Sequence, residues 1–400
     1  MHLKQWKLAI LGAMLAGIAT VAATPAFAAG TCTTVASGLE SPLSLVQSNT
    51  GSFIVSESGT GAPNSGRISI VDANGGRHTL IDGLPAGISD VGDPSGPSGL
   101  FLRGRTLYAA MGVGDVGILG HDASGTPVPG SDLPNPNGPS SPIMSSVLAL
   151  HFSVDVERTA SPFTLTLADH QALAAGRKVT LNNGAQQRIT IELVTNFENY
   201  VSTPRPGVPG NVSLSNPYGI VGVGNRLYVT DGGRNLVWEV DTATGAYREL
   251  AEFPNEPNPF FGMVGGPTTQ AVPTGIAYSD GRLLVTLFRG APFPATGSVE
   301  SIDPTSGADA RLISHLKTAI GVMPITSDSD TDELVLQFSS GTGPFFPGPG
   351  QLLRFASPDA TPSLVADCLT AQPTAMVLDR KAGALYVTDL GGRVVSIPLQ

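Results

Sequence analysis

The sequence predicts an all-β fold, a six-bladed β-propeller whose ring is closed by a strand near the N-terminus. Three observations predict it. A unit of about forty residues recurs six times, and each copy reads as four short strands. Of 400 residues, 49 are glycine and 33 proline, which suits tight turns between short strands and leaves little room for long helices. The hydrophobic fraction is 41% and the charged fraction 14%, a balance that fills a large core and excludes a disordered chain.

Each unit opens on a proline, a small residue and an apolar run: "SPLSLV" at Ser41, "GPSGLFL" at Gly96, "NPYGIVGV" at Asn216, "VPTGIAY" at Val272 and "QPTAMVL" at Gln372. One copy, "AIGVMPI" at Ala319, is degenerate. Second strands follow: "SFIVSE", "TLYAAMG", "RLYVTDG", "RLLVTLF", "ELVLQFSSG" and "ALYVTDL". After a glycine-rich loop comes a third strand, such as "GRISIVD" at Gly66 or "NLVWEVD" at Asn235, and then an outer one, such as "YRELAEF". One such sheet cannot cover both of its faces, so neighbours stack around an axis. The strands mix alternation with continuous apolar runs, as sheets covered on both sides do.

The last unit stops after its third strand, at Gln400. The missing outer strand is expected from "TTVASGL" at Thr33, because an open edge invites aggregation. The second unit is enlarged. Gly112 to Ser141 reads as a Pro/Gly/Asn-rich loop. A helix-hairpin insertion is expected over about residues 153–190. In it "ADHQALAAG" forms a short helix capped by Asp169 and ended by Gly176. "KVTLNNGAQQRITIELV" then forms a hairpin around Asn183-Gly184.

Residues 1–28 read as a signal peptide: Lys4 and Lys7, an apolar stretch from Leu8 to Val21, and the small residues of Ala26-Phe27-Ala28. The stretch is short for a membrane span, and no other stretch is long enough. Residues 29–400 are expected to be one exported domain, periplasmic or extracellular, and a monomer. Cleavage takes the net charge from −10 to −12. An acidic chain lacks the basic face that nucleic acid requires. The two cysteines are Cys32 and Cys368. Export favours a disulfide. The expected topology opposes one, since it sets them at opposite ends of neighbouring outer strands, roughly 20 Å apart.

"LYVTDGGRNLVWEVD" from Leu227 resembles NHL-type blades, whose second strand ends in a V-x-D turn. "VSESGTG" at Val55, "DGLP…GPSGL", "ITIELVTNFENYVSTPRPG…SNPYGI" and "VTLFRGAPFPATGSV" at Val285 together resemble the ScyD/ScyE family. These are exported propellers named from the scytonemin gene cluster. The likeness covers most of the chain after Cys32. It implies the fold and export, and no settled activity.

In a propeller, the loops between second and third strands converge on one face with the crossings between blades. Binding residues concentrate on such loops. Glu57, Asp231 and Asp389 end second strands at equivalent positions. Converging carboxylates could hold a divalent cation such as calcium, or serve as acid and base. They could equally accept backbone N–H bonds within their turns. Arg234 and Arg289 could bind an anion or pair locally. Phe288, Phe293, Phe345 and Phe346 could stack on a flat apolar ligand or plug the loop layer. The six histidines form no metal motif, and there is no G-x-S-x-G elbow. Asn211-Val212-Ser213 is a glycosylation sequon.

Two functions compete. One is a binding module for a small molecule, a glycan or an exported protein, without catalysis. The other is a metal-dependent hydrolase of the lactonase or strictosidine-synthase kind, which share the six-bladed fold. A quinone-dependent oxidoreductase has no support in the loop composition.

Overall fold

The computed structural model describes residues 30–326 and 331–399. The signal-peptide reading of residues 1–28 lies outside them. The described chain is nearly all β, with one α-helix, Leu167–Ala174. None of its helices is long and apolar enough to cross a membrane.

Six sheets follow one plan, that of a β-propeller, built on four antiparallel strands. Five take these strands in chain order, the last takes its outer strand from the N-terminal end, and the first two carry a fifth strand at the outer edge. The third is the plainest: Pro217–Val223, Arg226–Asp231, Leu236–Asp241 and Tyr247–Glu252. Its second and third strands are buried almost throughout, as expected for the middle of a sheet covered on both faces. The first strands of the six sheets are Pro42–Gln47, Pro97–Arg103, Pro217–Val223, Pro273–Ser279, Ala319–Thr326 and Pro373–Asp379. They line one cavity of about 310 Å3.

Glycine in the entry phrase lets these strands approach each other. A Cβ at Gly99 would stand 2.2 Å from Tyr218 O, and one at Gly219 2.4 Å from Thr274 O. Hydroxyls at the preceding position tie sheet to sheet. Ser98 Oγ donates to Pro217 O (2.8 Å), Thr274 Oγ1 to Ala319 O (3.0 Å) and Thr374 Oγ1 to Pro42 O (2.8 Å). In the alternate sheets that position carries Leu43, Tyr218 and Ile320, which line the cavity.

Thr33–Ala36 pairs antiparallel with Arg393–Pro398 and is the outer strand of the last sheet. Cys32, just before it, is bridged to Cys368, with Cα atoms 5.8 Å apart. This corrects the geometric expectation of two free cysteines. The 20 Å estimate treated outer strands as straight and aligned with the axis. Sheets twist by roughly 20–25° per strand, so a fourth strand is turned far from the first. The residues before Thr33 also bend towards the neighbouring sheet. Gly30 N–H donates to Val365 O at 2.7 Å, which brings Cys32 alongside Ser363–Leu369.

The insertion is anchored. Phe163–Thr164 adds a parallel strand to the outer edge of the first sheet, beside Ile81 and Asp82. The helix follows, capped by Thr166 rather than Asp169. Thr166 accepts from Asp169 N–H while the Asp169 carboxylate accepts from Thr166 N–H, a reciprocal pair that satisfies two donors at the helix N-terminus. His170 is fully buried and bonds Gly83 O through Nε2 and Ser141 Oγ through Nδ1. Phe163, Leu165 and Leu173 join the core of the first two sheets. The insertion thus covers an edge strand.

The Gly112–Ser141 segment is not irregular. Gly117–His121 and Pro127–Pro134 pair with each other, and with Val212–Leu214 and Tyr200–Ser202 they form a separate four-stranded sheet.

Candidate functional site

The three carboxylates at the ends of second strands are each engaged in their own sheet. Asp231 is fully buried. Its Oδ1 accepts the N–H groups of Asn216 (2.7 Å), Gly233 (3.2 Å) and Arg234 (3.1 Å). Its Oδ2 accepts Ser215 Oγ–H (2.6 Å) and Trp238 Nε1–H (3.0 Å). Glu57 is equally buried and accepts Glu40 N–H, Ser69 Oγ–H and Arg77, whose Nη2 lies 3.1 Å away. Asp389 holds the guanidinium of Arg393 at 2.7–2.9 Å. In the fifth sheet Gln337 takes this place, its Oε1 accepting Lys317 N–H at 2.6 Å. At Glu57, Asp231 and Gln337 an acceptor fastens the crossing into its sheet, a role that consumes the lone pairs a cation would need. Among the described residues, no three His, Cys, Asp or Glu side chains gather as a metal site.

The arginines are also engaged. Arg234 lies over the Trp238 ring, 5.6 Å from its centroid, and 3.8 Å from Glu249. Arg289 is fully buried at a positive φ of 73°. Its Nε donates to Thr296 O (3.1 Å), and Nη2 lies 2.7 Å from Glu256. Arg311 joins Glu256 to Glu300. Burial pushes the Arg289 pKa down, and Glu256 opposes that shift.

The phenylalanines form one cluster across two loops. Phe288, Phe293, Phe338 and Phe346 pack with centroids 4.4–6.1 Å apart. Phe345 lies at the edge, 6.5 Å from Phe293 and 52% exposed. Phe345 N–H donates to Pro292 O at 2.8 Å. On the other side of Pro292, a Cβ at Gly265 would stand 3.1 Å from the proline ring. Gly265 belongs to a third loop, whose Phe261 and Met263 are 63% and 79% exposed. The three loops meet at Pro292, and 258–267, 290–299 and 339–353 contain no charged residue. Exposed apolar side chains on loops that meet make this a candidate surface.

Sequence reasoning missed what lies beneath. Lys317, 2% exposed, donates from Nζ to Phe293 O and to Gly343 O (2.8 Å), tying the two phenylalanine loops together. Burial pushes its amine down to about 8. The signal was a lone lysine two residues before the degenerate entry phrase. Asn211, in the sequon, is buried with its amide donating to Thr203 O (2.7 Å), so it offers no acceptor nitrogen for a glycan.

A second unforeseen feature is a pair of carboxyls, Asp90 and Asp132. Burial and the neighbouring Asp90 push the Asp132 carboxyl up to about 8. The folded chain then keeps a proton that the unfolded chain releases above its ordinary value of 3.8. Stability therefore falls through this group as pH rises from about 4 to about 8. Asp132→Asn is expected to stabilise the protein by about 1–3 kcal/mol at pH 7.5 and by much less at pH 5. Urea melts at the two pH values read the difference, and equal shifts at both would reject the shared proton.

No family model and no curated protein matches the chain. Among solved structures it is similar to a Thermus thermophilus protein described as an oxidoreductase (glucose dehydrogenase). Identity is 17%, over 92% of this chain and 100% of that one, with a TM-score of 0.46. It is also similar to the PQQ-bound aldose sugar dehydrogenase of Streptomyces coelicolor, at 14% identity over 93% and 98%, TM-score 0.45. A third is the extracellular domain of a hybrid two-component system from B. thetaiotaomicron, at 10% over 93% and 40%, TM-score 0.43. Likeness of this degree assigns no activity to the chain.

Proposed function

We propose that this chain is an exported, monomeric, six-bladed β-propeller of the ScyD/ScyE kind, closed by its N-terminal strand, and that it works as a binding module without catalysis. One observation carries the functional reading. The charged candidates are engaged in internal bonds, whereas Phe261, Met263 and Phe345 remain exposed on uncharged loops that meet at Pro292. Such a surface suits a neutral, apolar partner, either a small molecule or an apolar patch on another exported protein. The blade count is supported by the six first strands around one cavity, and closure by the pairing of Thr33–Ala36 with Arg393–Pro398. Export is supported by the leader sequence and by the Cys32–Cys368 bridge, since disulfides persist in oxidising compartments. The metal-dependent hydrolase has less support, because Glu57, Asp231 and Asp389 do not share a site.

Thermal melts with added calcium, zinc or EDTA test the reading. The expected Tm is the same in all of them. A calcium-dependent rise that disappears in Glu57→Gln would restore the hydrolase alternative.

A further inference from the structure

We propose that the cavity on the axis of the sheets is a binding site for a small, neutral, largely apolar molecule, separate from the loop surface. Its volume of about 310 Å3 falls at the lower end of small-molecule sites. None of its lining residues is Asp, Glu, Lys, Arg or His. An ion placed there would lose its hydration and find no partner.

Of the four hydroxyl-bearing residues on the wall, Ser44, Tyr218, Tyr278 and Thr374, three have hydroxyls already engaged. Ser44 Oγ accepts Leu100 N–H (3.3 Å), Thr374 Oγ1 donates to Pro42 O (2.8 Å), and Tyr218 OH donates to Thr374 O (3.3 Å). Apart from the rings of Tyr218 and Tyr278 the side-chain surface is aliphatic, with Met323 and Met376 able to adapt to an irregular shape. An apolar molecule seated against that surface removes it from water. Each lining strand pairs on one side only, so peptide groups on its other edge can bond a hydroxyl, carbonyl or amide of the ligand.

The two ends of the cavity differ. Tyr218, at the loop end, reaches the Pro373–Asp379 strand through its hydroxyl. At the opposite end of a lining strand Tyr278 is 40% exposed. The proposed entry is the face away from the phenylalanine loops.

The neutral fluorophore N-phenyl-1-naphthylamine tests the site on protein labelled with 13C at its methionine methyls. Met323 and Met376 line the cavity, and Met263 sits on the loop surface. The expected result is saturable fluorescence enhancement, with shifts at Met323 and Met376 and none at Met263. Binding is expected to weaken about tenfold or more in Gly321→Leu. A Cβ there would lie 3.8 Å from Leu336 Cβ and 3.9 Å from Met376 Cε, without a clash. Absence of saturable binding, shifts confined to Met263, or undiminished affinity in folded Gly321→Leu would each overturn the proposal. The methionine shifts are read on unmutated protein, so a folding defect in the variant leaves the test intact.

Discussion

Replacing both Cys32 and Cys368 by serine is expected to lower the unfolding free energy by about 2–5 kcal/mol. The bridge joins residues 336 apart in sequence. Loop-closure entropy for so long a loop gives an upper figure of roughly 6 kcal/mol, and measured values usually fall below such figures. The local structure supports a large effect. The strand it anchors is four residues long and pairs with a single neighbour, Arg393–Pro398. At and just after the end of that strand, Ala36 and Leu39 pack with Phe53, Tyr386 and Val394, where the last sheet meets the first. A frayed strand would expose that seam and leave Arg393–Pro398 as an open edge. Denaturant melts of the oxidised protein, the reduced protein and the double serine variant should show the same loss for the last two. Proteolysis should begin between residues 30 and 40 in both. Unchanged midpoints would mean that the strand holds without its bridge.

The legible parts of this fold were those that repeat. Proline-led entry phrases and alternating apolar runs recur because every sheet solves the same burial problem. The strand at Thr33 was legible because the last unit lacked one. The disulfide was hidden, because its geometry depends on accumulated twist and on how residues 30–32 turn. The four-stranded sheet built from Gly117–His121 and its partners was hidden for another reason. Two of its strands are three residues long, the other two are interrupted by glycine or proline, and pairing crosses sequence gaps as long as that between Asp132 and Val212, so no local period announces them. At the candidate site, sequence position brought the phenylalanines to one face. It could not show that Lys317 ties their loops together from beneath. Residue types alone left two roles open for Glu57, Asp231 and Asp389, and their bonds in the structure are those of the structural role.

Asp231 gives the sharpest measure of that role. Asp231→Ala is expected to cost about 3–5 kcal/mol, because it removes a buried acceptor of five hydrogen bonds and leaves their donors without partners. Asp231→Asn should cost less, about 1–3 kcal/mol. Its amide oxygen can still accept the N–H groups of Asn216, Gly233 and Arg234, and the Ser215 hydroxyl can rotate to accept. The Trp238 indole cannot, since it only donates, and it would face the new amide N–H groups. Adding Trp238→Phe to Asp231→Asn should therefore recover part of the loss, whereas Trp238→Phe alone should destabilise. That change of sign is the signature of a bond between the two side chains. Trp6 and Trp238 are the two tryptophans of the sequence, so after removal of residues 1–28 the intrinsic fluorescence of the Trp238-containing variants reports on this site alone. The Trp238→Phe variants can be followed by circular dichroism. A metal ligand would behave differently: Asp231→Ala would unfold like the parent without calcium and differ from it only when calcium is added.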